Sequence, residues 1–203
     1  MAVDFSAITL VFRAMMGAVL FKLKILLMGF LMGTLVAGPG LADQTDTRLD
    51  ELFLELKTGG AINAEDNVNR ILEIWSDSQS DTIDLLYTRA LGLFHEGKHK
   101  EAGLLLTYTR SLSPNFMQAY ALSGFLKLTI DDRAGALSDF ARALELEPRQ
   151  FEVRKALADM LLSAGEKREA YDMIQRSLEW NPHDDSMLRL ARKLRLELQG
   201  QDI

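Results

Sequence analysis

The chain has 203 residues, of which 48% are apolar and 26% charged, and its formal net charge at pH 7 is −6. This composition is that of an ordinary globular domain that is large enough to bury a core. Because the sequence contains no cysteine, it excludes disulfides, cysteine metal sites, thiol catalysis and a lipidated N-terminal cysteine.

The first 42 residues differ from the rest and predict an export signal. Residues 25–38 form an uncharged apolar run, with Lys22 and Lys24 before it and Gly40 and Ala42 after it. A basic flank, a short apolar run and small residues at −3 and −1 are typical of a secretory signal peptide cleaved after Ala42. We therefore expect a periplasmic or secreted protein. The alternative is an uncleaved N-terminal membrane anchor, for which the run is short against the roughly 20 residues of a membrane span.

Cleavage at this point leaves 20 basic and 28 acidic residues, a net charge of −8. A chain of this charge is repelled by a phosphate backbone, so we expect no nucleic-acid partner, and after cleavage no membrane contact. The sequence contains no glycine-rich phosphate loop and no nucleophile elbow, and we predict no cofactor.

Residues 43–82 predict an irregular helical hairpin. Leu49, Leu52, Phe53 and Leu56 recur at the spacing of one helical face. A second helix is expected to end near Trp75.

Residues 83–184 contain three units of 34 residues, at 83–116, 117–150 and 151–184. Equivalent positions of the units carry Ala90, Gly124 and Ala158; Ala102, Ala136 and Ala170; and Pro114, Pro148 and Pro182. A period of this length predicts a helix pair that buries its apolar face only by stacking on its neighbours. Residues 185–203 then predict a capping helix and tail, with Leu188, Ala191 and Leu194 facing inward.

These positions resemble the pattern of the tetratricopeptide repeat (TPR) family, which has small residues at positions 8, 20 and 27 of each unit and proline at 32. The resemblance implies an all-α, right-handed TPR superhelix of antiparallel helix pairs with a degenerate N-terminal hairpin and a C-terminal capping helix. Together with the signal pattern of residues 1–42, it indicates an exported bacterial-type TPR protein. Several residues depart from the pattern, among them Thr109, which is larger than usual at position 27. Arg154 stands at position 4, where a large apolar residue is usual, and Trp75 is too large for position 27 of the N-terminal hairpin.

The resemblance also implies a concave groove lined by the first helix of each unit, which would hold a protein or peptide partner. The residues expected to line it are Asp84, Tyr87, Leu91, Phe94, Gln118, Phe125, Leu128, Glu152 and Lys155. An exposed aromatic-aliphatic strip of this kind is typical of a partner site. The alternative is that the N-terminal hairpin folds over the strip and buries it.

One use known in the family is not expected here. Chaperone-binding TPR domains hold a C-terminal carboxylate with a Lys-Asn-Asn-Lys-Arg set. The corresponding residues are Tyr87, Leu91, Leu122, Glu152 and Ala156, and none of them matches.

Residues 95–99 read HEGKH and match the zinc-peptidase signature H-E-x-x-H. That chemistry requires one continuous helix, so that both histidines share a face. Because Gly97 falls at a predicted turn, we expect neither a metal site nor a catalytic site at these residues.

The sequence therefore predicts a non-enzymatic scaffold that binds a protein or peptide in the cell envelope. The alternatives are a self-associating envelope assembly factor and, more remotely, a zinc metallopeptidase.

Overall fold

The structure, a computed structural model, describes residues 46–200, and within them every regular element is a helix. This confirms the predicted all-α class. The helices are α1 (Thr47–Thr58), α2 (Ala64–Ser76), α3 (Asp81–His95), α4 (His99–Leu112), α5 (Met117–Thr129), α6 (Arg133–Leu146), α7 (Phe151–Ser163), α8 (Lys167–Leu178) and α9 (Asp185–Gln199), with a short 3-10 helix at Ala61–Asn63.

The predicted signal peptide, residues 1–42, lies outside the described residues. Within residues 46–200, no helix has both the length and the apolar character needed to cross a membrane.

Helices α3/α4, α5/α6 and α7/α8 form three pairs with the same turn. The turn residue has a positive φ in each pair: 73° at Gly97, 60° at Asp131 and 82° at Gly165. Glycine reaches this left-handed region without a steric penalty, and aspartate tolerates it better than most residues do. The next residue donates its N–H to the carbonyl five residues earlier in all three turns: Lys98 to Leu93 (2.9 Å), Asp132 to Lys127 (2.8 Å) and Glu166 to Leu161 (3.0 Å). The middle pair thus makes the same turn without a glycine.

Small side chains lie where the helices of a pair cross. Ala102, Ala136 and Ala170 have no exposed surface. Gly124 leaves even less room, because a Cβ atom built there would lie 2.4 Å from Cε1 of Phe140. These positions let helix axes approach closely, and a larger residue at any of them requires the pair to open.

The outer edge of the first pair is uncovered. Ala119 and Val153, at position 3 of the second and third units, have no exposed surface, whereas Leu85 at the same position of the first unit is 71% exposed. One turn later Arg89 is exposed, while Ser123 and Leu157 are buried. The hairpin α1–α2 therefore does not stack on α3 as one repeat stacks on the next.

Helix α9 closes the other end of the chain of pairs. It buries Met187, Ala191 and Leu194, which are spaced as one helical face. The prediction that Leu188 faces inward is wrong, since this residue is 38% exposed and its neighbour Met187 fills the core position.

Candidate functional site

The first helix of each pair carries the predicted groove residues, and the structure divides them by burial. Tyr87 and Gln118 are buried. The others are intermediate in exposure: Asp84, Leu91, Phe94, Phe125, Leu128, Glu152 and Lys155. The strip is thus neither fully open nor fully covered.

Tyr87 belongs to the core between α3 and α5. Its ring packs edge-on against Phe116 with 5.3 Å between ring centroids. Burial and the carboxylate of Glu152 raise the pKa of Tyr87 to about 12, against a smaller opposing effect of the Ser76 side chain. Tyr87 therefore keeps its proton at neutral pH. Its neighbours also show that the end of α2 and the start of α7 both approach α3.

The hairpin α1–α2 packs on the concave side, against the third pair. Trp75 and Phe53 lie 5.4 Å and 6.5 Å from the ring of Phe151, the first residue of α7, and Phe53 also lies 5.6 Å from Trp180 beyond α8. All but Trp180 are buried. A packed aromatic cluster of this kind adds specific edge-on contacts to a large buried area. The hairpin is therefore held by residues far along the chain.

Polar contacts also hold the hairpin α1–α2 against the third pair. The indole Nε1 of Trp75 donates to Oε2 of Glu147 at 3.3 Å. Arg149 pairs with Glu147 at 2.8 Å and with Asp50 of α1 at 2.7 Å, and Nζ of Lys57 lies 3.8 Å from the ring centroid of Trp180. Glu147 is buried, so removal of Arg149 would leave its carboxylate without a compensating charge, and removal of Trp75 would leave it without one hydrogen-bond donor.

A cavity of about 580 Å³ remains between α2, α5 and α7. Its apolar wall is formed by Val68, Phe125, Leu128, Phe151, Ala156 and Met160. Its polar lining includes Asp131, Arg133, Glu152, Lys155, Asp159 and Asp184. A largely apolar concave site with a few convergent polar groups is the usual form of a binding site.

The two cations of this lining are already paired. Nζ of Lys155 lies 3.2 Å from Oδ2 of Asp184 and donates to Oγ of Ser186 at 2.8 Å. Nε of Arg133 lies 3.2 Å from Oδ1 of Asp131 on the exposed rim. Burial disfavours the charge of Asp184, but hydrogen bonds from Ser186 and the Met187 N–H, together with Lys155, lower its pKa below the usual value.

The two other carboxylates of the lining have no such partner. Burial raises the pKa of Glu152, more than the Gln150 amide and Lys155 lower it, and burial likewise raises the pKa of Asp159 against the attraction of Lys155. Within residues 46–200, neither carboxylate lies within 4 Å of a basic side chain. The ionised forms of both groups are therefore stabilised only by the longer-range attraction of Lys155 and, for Glu152, by the Gln150 amide.

Four of the predicted groove residues share this cavity: Phe125, Leu128, Glu152 and Lys155. The sequence did not indicate Val68, Phe151 or Asp184, which also line it. The available signal was Trp75, whose size does not suit a repeat stacked in sequence order and which instead packs against Phe151.

The HEGKH string is broken by the fold. α3 ends at His95 and α4 begins at His99, with Gly97 in the left-handed region between them. The ring of Phe94 lies 5.7 Å from His95 and 5.9 Å from His99. Zinc-peptidase chemistry requires a continuous helix here, which these residues do not form. Among the described residues, no group of three or more histidine or acidic side chains is placed to hold a metal ion.

Comparison with known proteins supports the TPR family. Residues 131–194 match the family model for the tetratricopeptide repeat. The first TPR of Spaghetti (RPAP3) bound to the HSP90 peptide SRMEEVD has a TM-score of 0.53 and 20% identity, over 58% of this chain and 93% of that chain. The Yersinia enterocolitica type III secretion chaperone SycD, in complex with a peptide of the translocator YopD, has a TM-score of 0.53 and 17% identity, over 58% of this chain and 95% of that chain.

A type III secretion complex from Aeromonas hydrophila is also similar, with a TM-score of 0.50 and 18% identity, over 74% of this chain and 93% of that chain. No curated protein matches the sequence. At these identities the likeness shows the TPR fold.

Proposed function

We propose that this chain is a non-enzymatic scaffold that holds a segment of a protein partner in the cavity between α2, α5 and α7. The observation that carries the proposal is the cavity itself, about 580 Å³ of concave space with an apolar wall. The solved TPR structures bound to an HSP90 peptide and to a YopD peptide support it, since they show that this fold accommodates peptides.

The hairpin α1–α2 narrows the groove without filling it. Val68 of α2 lines one side of the cavity, and Phe125 and Leu128 line another. Because Leu49, Leu56, Ile71 and Trp75 have no exposed surface, displacing the hairpin would expose a large apolar area to water. The partner segment therefore binds beside the hairpin, with the hairpin as part of its site.

Selection of short displayed peptides on the immobilised full-length chain tests the proposal. Peptides that bind the cavity lose affinity on Leu128→Ala, by roughly 1–4 kcal/mol if this side chain is an anchor. Leu196→Ala is the matched control, because Leu196 is an exposed leucine outside the cavity. Thermal denaturation of both variants separates lost binding from lost folding. Recovery only of peptides that bind the Leu128→Ala variant as well as the parent contradicts the proposal.

A second candidate is self-association, and the uncovered edge of the first pair favours it. Leu85 on α3 is exposed, and so are Leu104, Tyr108 and Leu112, which form an apolar stripe at four-residue spacing on α4. Light scattering over a range of concentrations tests this candidate. A molar mass that rises with concentration in the parent, and less in Tyr108→Ser, supports it, and a constant monomer mass contradicts it.

We also propose that the protein is exported to the cell envelope, on the basis of the signal pattern in residues 1–42. N-terminal sequencing of the protein from an envelope fraction is expected to begin at Asp43. An intact Met1 in that fraction contradicts signal cleavage and favours the anchor.

A further inference from the structure

The charged side chains of α7 bear on whether the cavity holds an acidic or a basic segment. Glu152, Lys155 and Asp159 are spaced by three and four residues, so they share one helical face, and all three line the cavity. This inference rests on the proposed function, because it concerns the chemistry of the segment that the cavity holds.

Lys155 is not available to an incoming anion. Its ammonium lies 3.2 Å from the carboxylate of Asp184 and donates to Oγ of Ser186, so its charge is neutralised inside the fold. Arg133, the other cation of the lining, is paired with Asp131 at 3.2 Å. An acidic segment would have to break these pairs and would then face all four carboxylates, which is electrostatically unfavourable.

Glu152 and Asp159 are in the opposite situation. Both line the cavity, Glu152 half-buried and Asp159 exposed at its edge, and no basic side chain of the described residues forms an ion pair with either. A cationic group brought in by a partner would donate hydrogen bonds to such a carboxylate and would replace the lost water. Phe125, Leu128 and Met160 supply an apolar wall in the same cavity.

We infer that the cavity selects a segment that carries a lysine or arginine next to a large apolar side chain. The cation binds on the face of α7 that carries the Glu152 and Asp159 carboxylates, and the apolar side chain packs against Phe125 and Leu128 on α5. The net negative charge of the lining steers such a segment toward the site and disfavours acidic competitors.

The peptides selected on the full-length chain test this inference when their affinities are measured by fluorescence polarisation. We expect those that depend on Leu128 to contain lysine or arginine beside leucine, phenylalanine or methionine. Glu152→Gln and Asp159→Asn are each expected to weaken them by about tenfold, the loss of one charge-assisted hydrogen bond. Asp172→Asn removes an exposed carboxylate of α8 outside the cavity and is expected to leave the affinity unchanged.

A charge exchange makes the test specific. A selected peptide with its basic residue changed to glutamate is expected to lose binding to the parent and to regain it on Asp159→Lys. Thermal denaturation shows whether each variant folds.

Peptides that depend on Leu128 but lack basic residues, or that bind Glu152→Gln and Asp159→Asn as tightly as the parent, overturn this inference and leave the proposed function standing. If no selected peptide depends on Leu128, both are overturned.

Discussion

The regular helix pairs and the N-terminal hairpin are built from the same kind of element but pack by different rules. The pairs α3/α4, α5/α6 and α7/α8 each stack on the pair next to them in sequence. The hairpin α1–α2 instead contacts residues much further along, with Trp75 bonded to Glu147, 72 positions away, and Asp50 to Arg149, 99 positions away. A helical hairpin that precedes a row of stacked repeats in sequence is therefore not always the next repeat of the stack.

The size of one side chain accounts for much of this difference. At position 27 the repeats have Thr109, Ala143 and Ser177, all buried where helices approach closely. The hairpin has Trp75 there, and an indole does not fit between helix axes at that separation. Trp75 is buried against Phe53 and Phe151, where the packing leaves room for a large ring.

The largest expected effect is on the hairpin. Trp75→Ala removes a fully buried side chain and leaves Glu147 without its indole donor. We expect a loss of about 3–5 kcal/mol in the free energy of unfolding, measured by denaturant titration. Ile62→Ala, in the short 3-10 helix, is the control because Ile62 is almost fully exposed. Similar midpoints for the two variants contradict the packed aromatic cluster.

The next effect concerns the crossing of α5 and α6. Gly124→Ala places a Cβ atom against the ring of Phe140 and is expected to cost about 1–3 kcal/mol through overpacking. Gly92→Ala meets nothing within 4 Å in α3 and is expected to add about 0.5–1 kcal/mol, because alanine is the better helix former. In thermal denaturation, Gly124→Ala is therefore expected to lower the midpoint temperature and Gly92→Ala to raise it. A stabilised Gly124→Ala variant refutes the close approach.

Position 3 allows a direct comparison of covered and uncovered edges. Val153→Ala removes buried methyl groups between pairs and is expected to cost about 1–2 kcal/mol. Leu85→Ala removes a larger side chain from the exposed edge of α3 and is expected to change stability by less than about 0.5 kcal/mol. A larger loss for Leu85→Ala would mean that the hairpin, or another chain, covers this edge.

The smallest effect is a pH dependence in the cavity. Burial raises the pKa of Glu152 above its ordinary value of 4.5, so the folded state holds this proton more tightly than the unfolded state. The stabilising contribution is complete below that ordinary value and is lost as the pH rises through the folded pKa. Glu152→Gln is therefore expected to match the parent in acid and to exceed it in stability at neutral pH. If the Glu152→Gln variant is less stable than the parent at neutral pH, the raised pKa of Glu152 is contradicted.

The fold of the repeats was accessible from sequence because the determinants are local and periodic. Ala102, Ala136 and Ala170 recur at one spacing, and the turns at Gly97 and Gly165 have a residue type that suits a positive φ. Even Asp131, which lacks the glycine signal, makes the same hydrogen-bonded turn. Each of these features can be recognised by comparing one unit with its neighbour in the sequence.

The candidate site was accessible only in part, because it depends on where the hairpin packs. Helical spacing placed Glu152 and Lys155 on one face, but no spacing rule connects Val68 with Phe125 across the cavity. Nor does the sequence show that Lys155 is already paired with Asp184, the residue directly before α9. Long-range packing of bulky side chains decides both points.

The placement of the hairpin on the concave side is tested most directly by crosslinking. The chain has no native cysteine, so Lys57→Cys and Glu179→Cys introduce one exposed thiol on α1 and one beside Trp180, whose ring Lys57 covers. A short bismaleimide is expected to join this pair within one full-length chain, and to leave Lys57→Cys with Leu85→Cys unjoined. Crosslinking of residues 57 and 85, without crosslinking of 57 and 179, would place the hairpin on the outer edge of α3 and contradict the account.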